Sequence, residues 1–254
     1  LVNSSIENIN NHLEYLGYYG SDIRSEIQVK KRKVKVNYII TLGKRFIIRD
    51  IHYNLPEWEI RDEFLKDTAS VTIKPGSWLS EEALEAESER SSKYLRDKGF
   101  YGFSKNYYFF EADTLANPDS ATLEMSIRNY TRNETPRDGR QLRKFYIGDV
   151  GMSLPKSLRI RENILTNLNT IIPGSLYSEQ AVSSTYSRLS SLNVFSSVNI
   201  EMNQSDTNKV DCSINLTQSK LQGFKLNLEA SSNSTGLLGL SPQISYYHKN
   251  IFRG

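Results

Sequence analysis

The side chains able to do chemistry are few and scattered. His12, His52 and His248 stand far apart, unlike the ligand spacing of a histidine-based zinc site. Cys212 is the one cysteine, which excludes an internal disulfide and any multi-cysteine metal cluster. The acids Glu81, Glu82, Glu85, Glu87 and Glu89 fall in one run. On a helix such a run reads as a solvated face whose first members suit the positive helix end, not as a general acid–base pair. No spaced Ser/His/Asp set is suggested. Thr235-Gly236-Leu237-Leu238-Gly239, the nearest thing to a phosphate loop, lacks the lysine and the following helix. No nucleotide, metal or redox cofactor is implied, and an enzyme reading has no titratable constellation to rest on.

Three other clusters suit recognition. Lys30, Lys31, Arg32 and Lys33, with Lys35 beyond them, read either as a charged hairpin turn protected against edge pairing or as a contact for anionic lipid or an acidic partner. No RNA-binding aromatic motif accompanies them, which argues against nucleic acid. Tyr107, Tyr108, Phe109 and Phe110 are consecutive; in a strand two of these rings face the core and two face away. The outer pair either packs on a neighbouring module or marks an edge strand that captures extended chains by strand addition. Phe224, Leu226 and Leu228 alternate with polar residues, and a second alternating run holds Ile244 and Tyr246. Two such runs of about ten residues match transmembrane β-barrel strands, the alternative being a soluble hairpin.

The elements that position these clusters repeat. Pro75, Gly76, Ser77, Ser80, Glu81 and Ala83 match Pro173, Gly174, Ser175, Ser178, Glu179 and Ala181 at an offset of 98. Phe46 to Ile51 matches Phe145 to Val150 at 99, and Gly17-Tyr18-Tyr19-Gly20 matches Gly99-Phe100-Tyr101-Gly102 at 82. Each copy reads β-α-α-β-β, the first having lost its beginning. The apolar phase slips by one between Ile48 and Ile51, as at a bulge. Ile60, Phe64 and Leu65 mark a short helix. Ser80 and Ser178 cap a second helix, stapled by Leu79 with Leu84 and by Tyr177 with Val182. Two alternating strands close each copy, and Cys212, between Val210 and Ile214, reads as a small core residue. The expected class is α+β: three-stranded sheets, each with two helices on one face.

The chain has 254 residues, a net charge of +3, 38% apolar and 24% charged residues. That length suits two or three small domains. The charge is too small to argue for nucleic acid on its own. No run approaches the ~18 apolar residues of a membrane helix. Residue 1 is Leu, and no signal peptide opens the chain, so it reads as a processed or trimmed piece. The expected divisions are an incomplete module over 1–43, complete modules over 44–130 and 144–220, a polar linker over 131–143, and a two-strand segment over 221–254.

With these features the sequence resembles the POTRA modules of BamA/TamA-like outer-membrane assembly factors. The resemblance rests on the β-α-α-β-β order, the Gly17-Tyr18 and Gly99-Phe100 pairs, the junction from Val36 to Ile51, and the closing Asn250-Ile251-Phe252-Arg253-Gly254, which is similar to the end of an early barrel strand in the family. Asn193-Val194-Phe195 departs from the Gly-aromatic pair. The resemblance implies a non-enzymatic array facing the periplasm at the outer membrane. Its partners would be unfolded outer-membrane proteins, accessory lipoproteins, and membrane lipid through a barrel. The implied site residues are Tyr107, Tyr108, Phe109 and Phe110 for clients, Lys30, Lys31, Arg32 and Lys33 for lipid or an acidic partner, and Phe224, Leu226 and Leu228 at a barrel seam. A TamA-like or two-partner-type secretion or lipid-export component, or a soluble scaffold built on such modules, is the alternative reading.

Overall fold

The computed structural model describes residues 1–31, 33–129, 142–155, 160, 162–220, 222–232 and 238–249. Arg32, most of the expected linker, the Thr235–Leu237 part of the glycine turn and the closing 250–254 lie outside the described residues. The chain falls into two compact units, Leu1–Lys144 and Phe145–Gly254, so the first two modules share one unit. No described helix is long and apolar enough to cross a membrane, which says nothing of strands.

The first unit opens with helix α1 (Val2–Tyr15) and the hairpin β1 (Asp22–Lys30) and β2 (Lys33–Thr41). Lys31 turns the hairpin at φ 55°. The register puts Ile27 opposite Val36 and Val29 opposite Val34, so one face of the ribbon is aliphatic. Ile27, Val29 and Val34 on that face are exposed.

The second module carries the full order: β3 (Ile47–Asn54), α2 (Glu59–Lys66), α3 (Glu81–Asp97), β4 (Tyr108–Asp113) and β5 (Ser120–Ile127). The strands lie in the order β3-β5-β4, with β3 parallel and β4 antiparallel to the central β5. The register shifts between Ile48 and Asp50, the bulge that the slipped apolar phase requires. Ser80 caps α3, its Oγ accepting from the Ala83 N–H at 3.2 Å. The core gathers Ile48, Ile60, Phe64, Leu95, Phe100, Phe103, Tyr108, Leu123 and Met125. Burial of side chains of this size contributes roughly 1.5–3 kcal/mol each.

Two expectations fail here. Leu65 is 45% exposed, while Glu63 on the same helix is buried. Glu87, expected on the solvated acidic face, is fully buried. Its Oε2 accepts from Thr72 N at 2.8 Å and Thr72 Oγ1 at 2.6 Å, and Arg90 Nη2 bridges Glu87 and Asp67 at 2.7 Å each. Hydrogen bonding to Glu87 holds the Arg90 guanidinium well above its ordinary pKa, with Asp67 adding to the effect.

From Leu142 the described chain rejoins this module. Leu142 is buried in its core. Lys144 N donates to Glu59 Oε2 at 3.0 Å, and Lys144 Nζ lies 2.9 Å from Glu63 Oε2. Burial pushes the Glu63 carboxyl up, but Lys144 and Lys66 pull harder, and the net value lies below its usual 4.5. A depressed carboxyl stabilises the fold above its unfolded value and loses that contribution as pH falls through the folded value. Lys144→Met therefore flattens the fall in melting temperature between pH 6 and pH 3; a profile parallel to the parent would contradict this role.

The second unit repeats the arrangement. Strands β6 (Tyr146–Ser153), β7 (Phe195–Asp206) and β8 (Lys209–Gln218) lie in the order β6-β8-β7, with helices α4 (Glu162–Leu168) and α5 (Glu179–Ser191) between β6 and β7 in the chain. The turn chemistry recurs bond for bond. Ile48 N donates to Ser77 O and Gly76 N to Ile48 O at 2.8 Å; Ile147 N donates to Ser175 O and Gly174 N to Ile147 O at 2.8 Å. Asn193 takes φ 57° where Gly17 and Gly99 take 88° and 102°, so asparagine supplies the left-handed residue that ends the helix. Cys212 is buried, which pushes its thiol up to about 11. The unit ends in the antiparallel ribbon β9 (Gln222–Ser232) and β10 (Leu238–His248).

Candidate functional site

Strand order leaves β4 at the edge of the second module, because β5 occupies only one of its sides. Arg128 N donates to Tyr107 O at 3.0 Å, and the register continues as Tyr108 opposite Ile127. Antiparallel alternation then turns the N–H and C=O of Phe109 and Glu111 toward β5 and those of Phe110 and Ala112 toward the open edge. Tyr108 N donates back to Lys105 O, so the usable edge starts with the Tyr108 carbonyl.

Beside this edge runs a groove of about 380 Å³. Its apolar part is Leu84 of α3 with Tyr108 and Phe110 of β4. Its polar mouth holds Glu81, Glu85 and Lys105, and Tyr15 of α1 forms a further wall. Tyr15 Oη donates to Glu85 Oε2 at 3.0 Å, and Lys105 Nζ donates to Glu85 Oε1 at 2.6 Å. The lysine lowers the Glu85 pKa and the carboxylate raises that of Tyr15.

The joint that brings α1 to α3 is tight. Tyr19 and Lys44 exchange backbone hydrogen bonds at 2.8 and 2.9 Å. The Arg45 guanidinium lies 4.9 Å from the Tyr18 ring centre and 4.6 Å from that of Trp78, a cation held between two aromatic faces. A Cβ on Gly17 would meet the Leu79 carbonyl oxygen at 2.3 Å, and one on Gly43 would meet that of Tyr19 at 2.1 Å. Gly17 lets the first module's backbone touch the second's at Leu79, and Gly43 lets the Tyr19–Ser21 turn close on the strand end that leads into the second module.

The four aromatic residues divide by burial. Tyr107 belongs to a short 3-10 turn before β4 and is buried. Tyr108 is buried, its hydroxyl donating to Ser91 Oγ at 2.6 Å, and burial raises its phenol above the ordinary value. Phe109 faces away from the helices, with the Arg128 guanidinium 4.3 Å from its ring centre. Phe110 is half-buried and lines the groove. Two rings are therefore interior, while Phe109 and Phe110 are half-buried.

Lys30, Lys31 and Lys33 sit at the exposed tip of the β1–β2 hairpin. Phe224, Leu226 and Leu228 share one face of β9–β10 with their partners Tyr246, Ile244 and Pro242, and the three are 62–79% exposed. The opposite face carries Lys225, Asn227 and Gln243. Among the described residues no group of three or more His, Cys, Asp or Glu could hold a metal ion. Tyr15, Leu84 and Ala112 were not singled out by the sequence. Leu84 had a signal as a helix staple; Tyr15, which meets Glu85 from 70 residues away, had none.

No protein-family model and no curated protein matches the sequence. Solved structures do. The chain is similar to Haemophilus influenzae BamA POTRA3-5 at 12% identity and TM-score 0.53, over 85% of this chain and 80% of that one. It is also similar to Haemophilus ducreyi BamA lacking POTRA domains 1-3, at 14% identity and TM-score 0.54, over 78% of this chain but 34% of the longer BamA chain. The repeated β-α-α-β-β units of this chain have the POTRA fold.

Proposed function

We propose that the chain is a periplasmic POTRA array of a BamA-type outer-membrane assembly factor. It binds unfolded outer-membrane protein segments by strand addition and passes them to a membrane β-barrel. It works as a scaffold and not as an enzyme, with client folding supplying the driving energy. The observation that carries this reading is the open β4 edge, whose outward backbone groups lie beside a groove with an apolar floor and a charged mouth. Main-chain hydrogen bonds give affinity with little demand on sequence, and the groove adds one side-chain contact. The lysines at the β1–β2 tip suit anionic headgroups or an acidic accessory subunit.

The ribbon β9–β10 is read as the start of the barrel. Each strand has 11 residues, the length of a tilted transmembrane strand. Its one-sided apolar face matches lipid on one side and a polar lumen on the other. Phe224, Tyr246 and Tyr247 gather at one end, as aromatic residues do at a membrane interface.

A proline tests edge capture. At Phe109 it would break the module's own ladder, whereas the Ala112 N–H points to the open edge, where proline is tolerated. Ala112→Pro keeps the melting temperature within a few degrees and lowers affinity for a labelled peptide of residues 222–232 by about tenfold or more, the equivalent of about 1.4 kcal/mol. Unchanged affinity would refute capture at β4.

A further inference from the structure

We infer that the groove on the second module is completed by the first: Tyr15 of α1, held by Glu85 and Lys105, closes over an extended segment paired to β4 and fixes which side chain it presents. This rests on the edge-capture reading and adds a wall, a selectivity and a dependence on the joint between the two modules.

The β4 edge itself dictates an extended occupant. Phe110 and Ala112 offer N–H and C=O groups at alternate positions, which only another strand satisfies in register. Side chains of an added strand alternate, so every second one turns to the helix side, where Leu84, Tyr108 and Phe110 make an apolar floor. That floor takes an apolar anchor. Without Tyr15 the anchor would lie open to water at the α1 side; with it, an aromatic ring covers the position. The Tyr15–Glu85–Lys105 chain, at 3.0 and 2.6 Å, holds that ring in place.

The charge at the mouth narrows the partner further. Lys105 is committed to Glu85, and Glu81 lines the groove with no ion pair among the described residues. On that side the mouth favours a basic residue two positions from the apolar anchor, since the immediate neighbour turns to the other face. Phe224, Leu226 and Leu228 of β9 supply apolar side chains at alternate positions for the floor, so a peptide of residues 222–232 serves as the probe.

The dependence on the first module follows from the same geometry. Tyr15 reaches Glu85 only while Gly17 and Gly43 allow the backbones to touch and Arg45 stays between Tyr18 and Trp78. Displacement of the first module therefore opens the groove without altering the β4 edge.

The test is fluorescence polarisation of the labelled 222–232 peptide against the 254-residue chain and its Tyr15→Phe, Tyr15→Ala and Ala112→Pro variants. Tyr15→Ala is expected to weaken binding about tenfold, the loss of one aromatic contact. Tyr15→Phe, which keeps the ring and loses its anchor, falls between it and the parent chain and guards against a folding artefact. If Ala112→Pro abolishes binding while both Tyr15 variants bind as the parent, the composite groove is wrong and edge capture stands. If the parent does not bind, or Ala112→Pro binds equally well, edge capture fails and the composite groove falls with it.

Discussion

Arg90→Met lowers the stability of the second module by about 3 kcal/mol at pH 7, the scale for removing one partner of a buried ion pair. Arg90 bridges Glu87, which is fully buried, and Asp67, nearly so. Methionine fills much of the volume but leaves two carboxylates facing each other without a cation. The third module shows how the same backbone site is satisfied without charge. Thr72 N donates to Glu87, and at the offset of 98 Thr170 N donates to Thr185 Oγ1 at 2.9 Å. Leu165 and Arg188 stand at the positions of Asp67 and Arg90, with Leu165 buried and Arg188 exposed. Asp67→Leu with Glu87→Thr, transplanted together, should therefore recover most of the loss in an Arg90→Met background. Urea unfolding followed by tryptophan fluorescence measures each step. Equal stability of Arg90→Met and the parent would contradict this reading of the cluster.

Gly43→Ala is the second large effect. Its Cβ would meet the Tyr19 carbonyl oxygen at 2.1 Å and backbone atoms of Gly20 and Ser21 at 2.7 Å. No side-chain rotation relieves contacts with backbone, so the junction must move. The cost is about 3 kcal/mol, the upper range for forcing an extra carbon into a packed site. It falls on the bonds that join the modules, Tyr19 with Lys44 and Arg45 with Tyr18 and Trp78. Hydrogen exchange is expected to quicken at Tyr19 and Lys44 while the β5 amides keep their protection. Uniform acceleration across both modules would mean that the two unfold as a single block and that the joint has no separate role.

The fold was legible where local chemistry decides it. Pro-Gly-Ser turns, serine caps and the slipped apolar phase each specify a backbone event, and the two full copies make the same turn bonds. The site was less legible because it depends on strand order and on distant contacts. The pattern around Phe109 indicates two faces, but whether a backbone group is free follows from β4 having β5 on one side only. Glu87 looked like one more acid in a solvated run; its burial comes from Thr72 and from Arg90 reaching Asp67 across the helices. Likewise Glu63 is inside and Leu65 outside because Lys144, returning from beyond the linker, meets the carboxylate.

The most direct test of the central claim is amide hydrogen exchange read residue by residue along β4, with and without the 222–232 peptide. Phe109 and Glu111 face β5 and should be protected in both states. Phe110 and Ala112 face the open edge and should gain protection only with the peptide, giving an alternating pattern that strand addition alone produces. Binding that leaves Phe110 and Ala112 exchanging at the free rate would contradict capture at this edge.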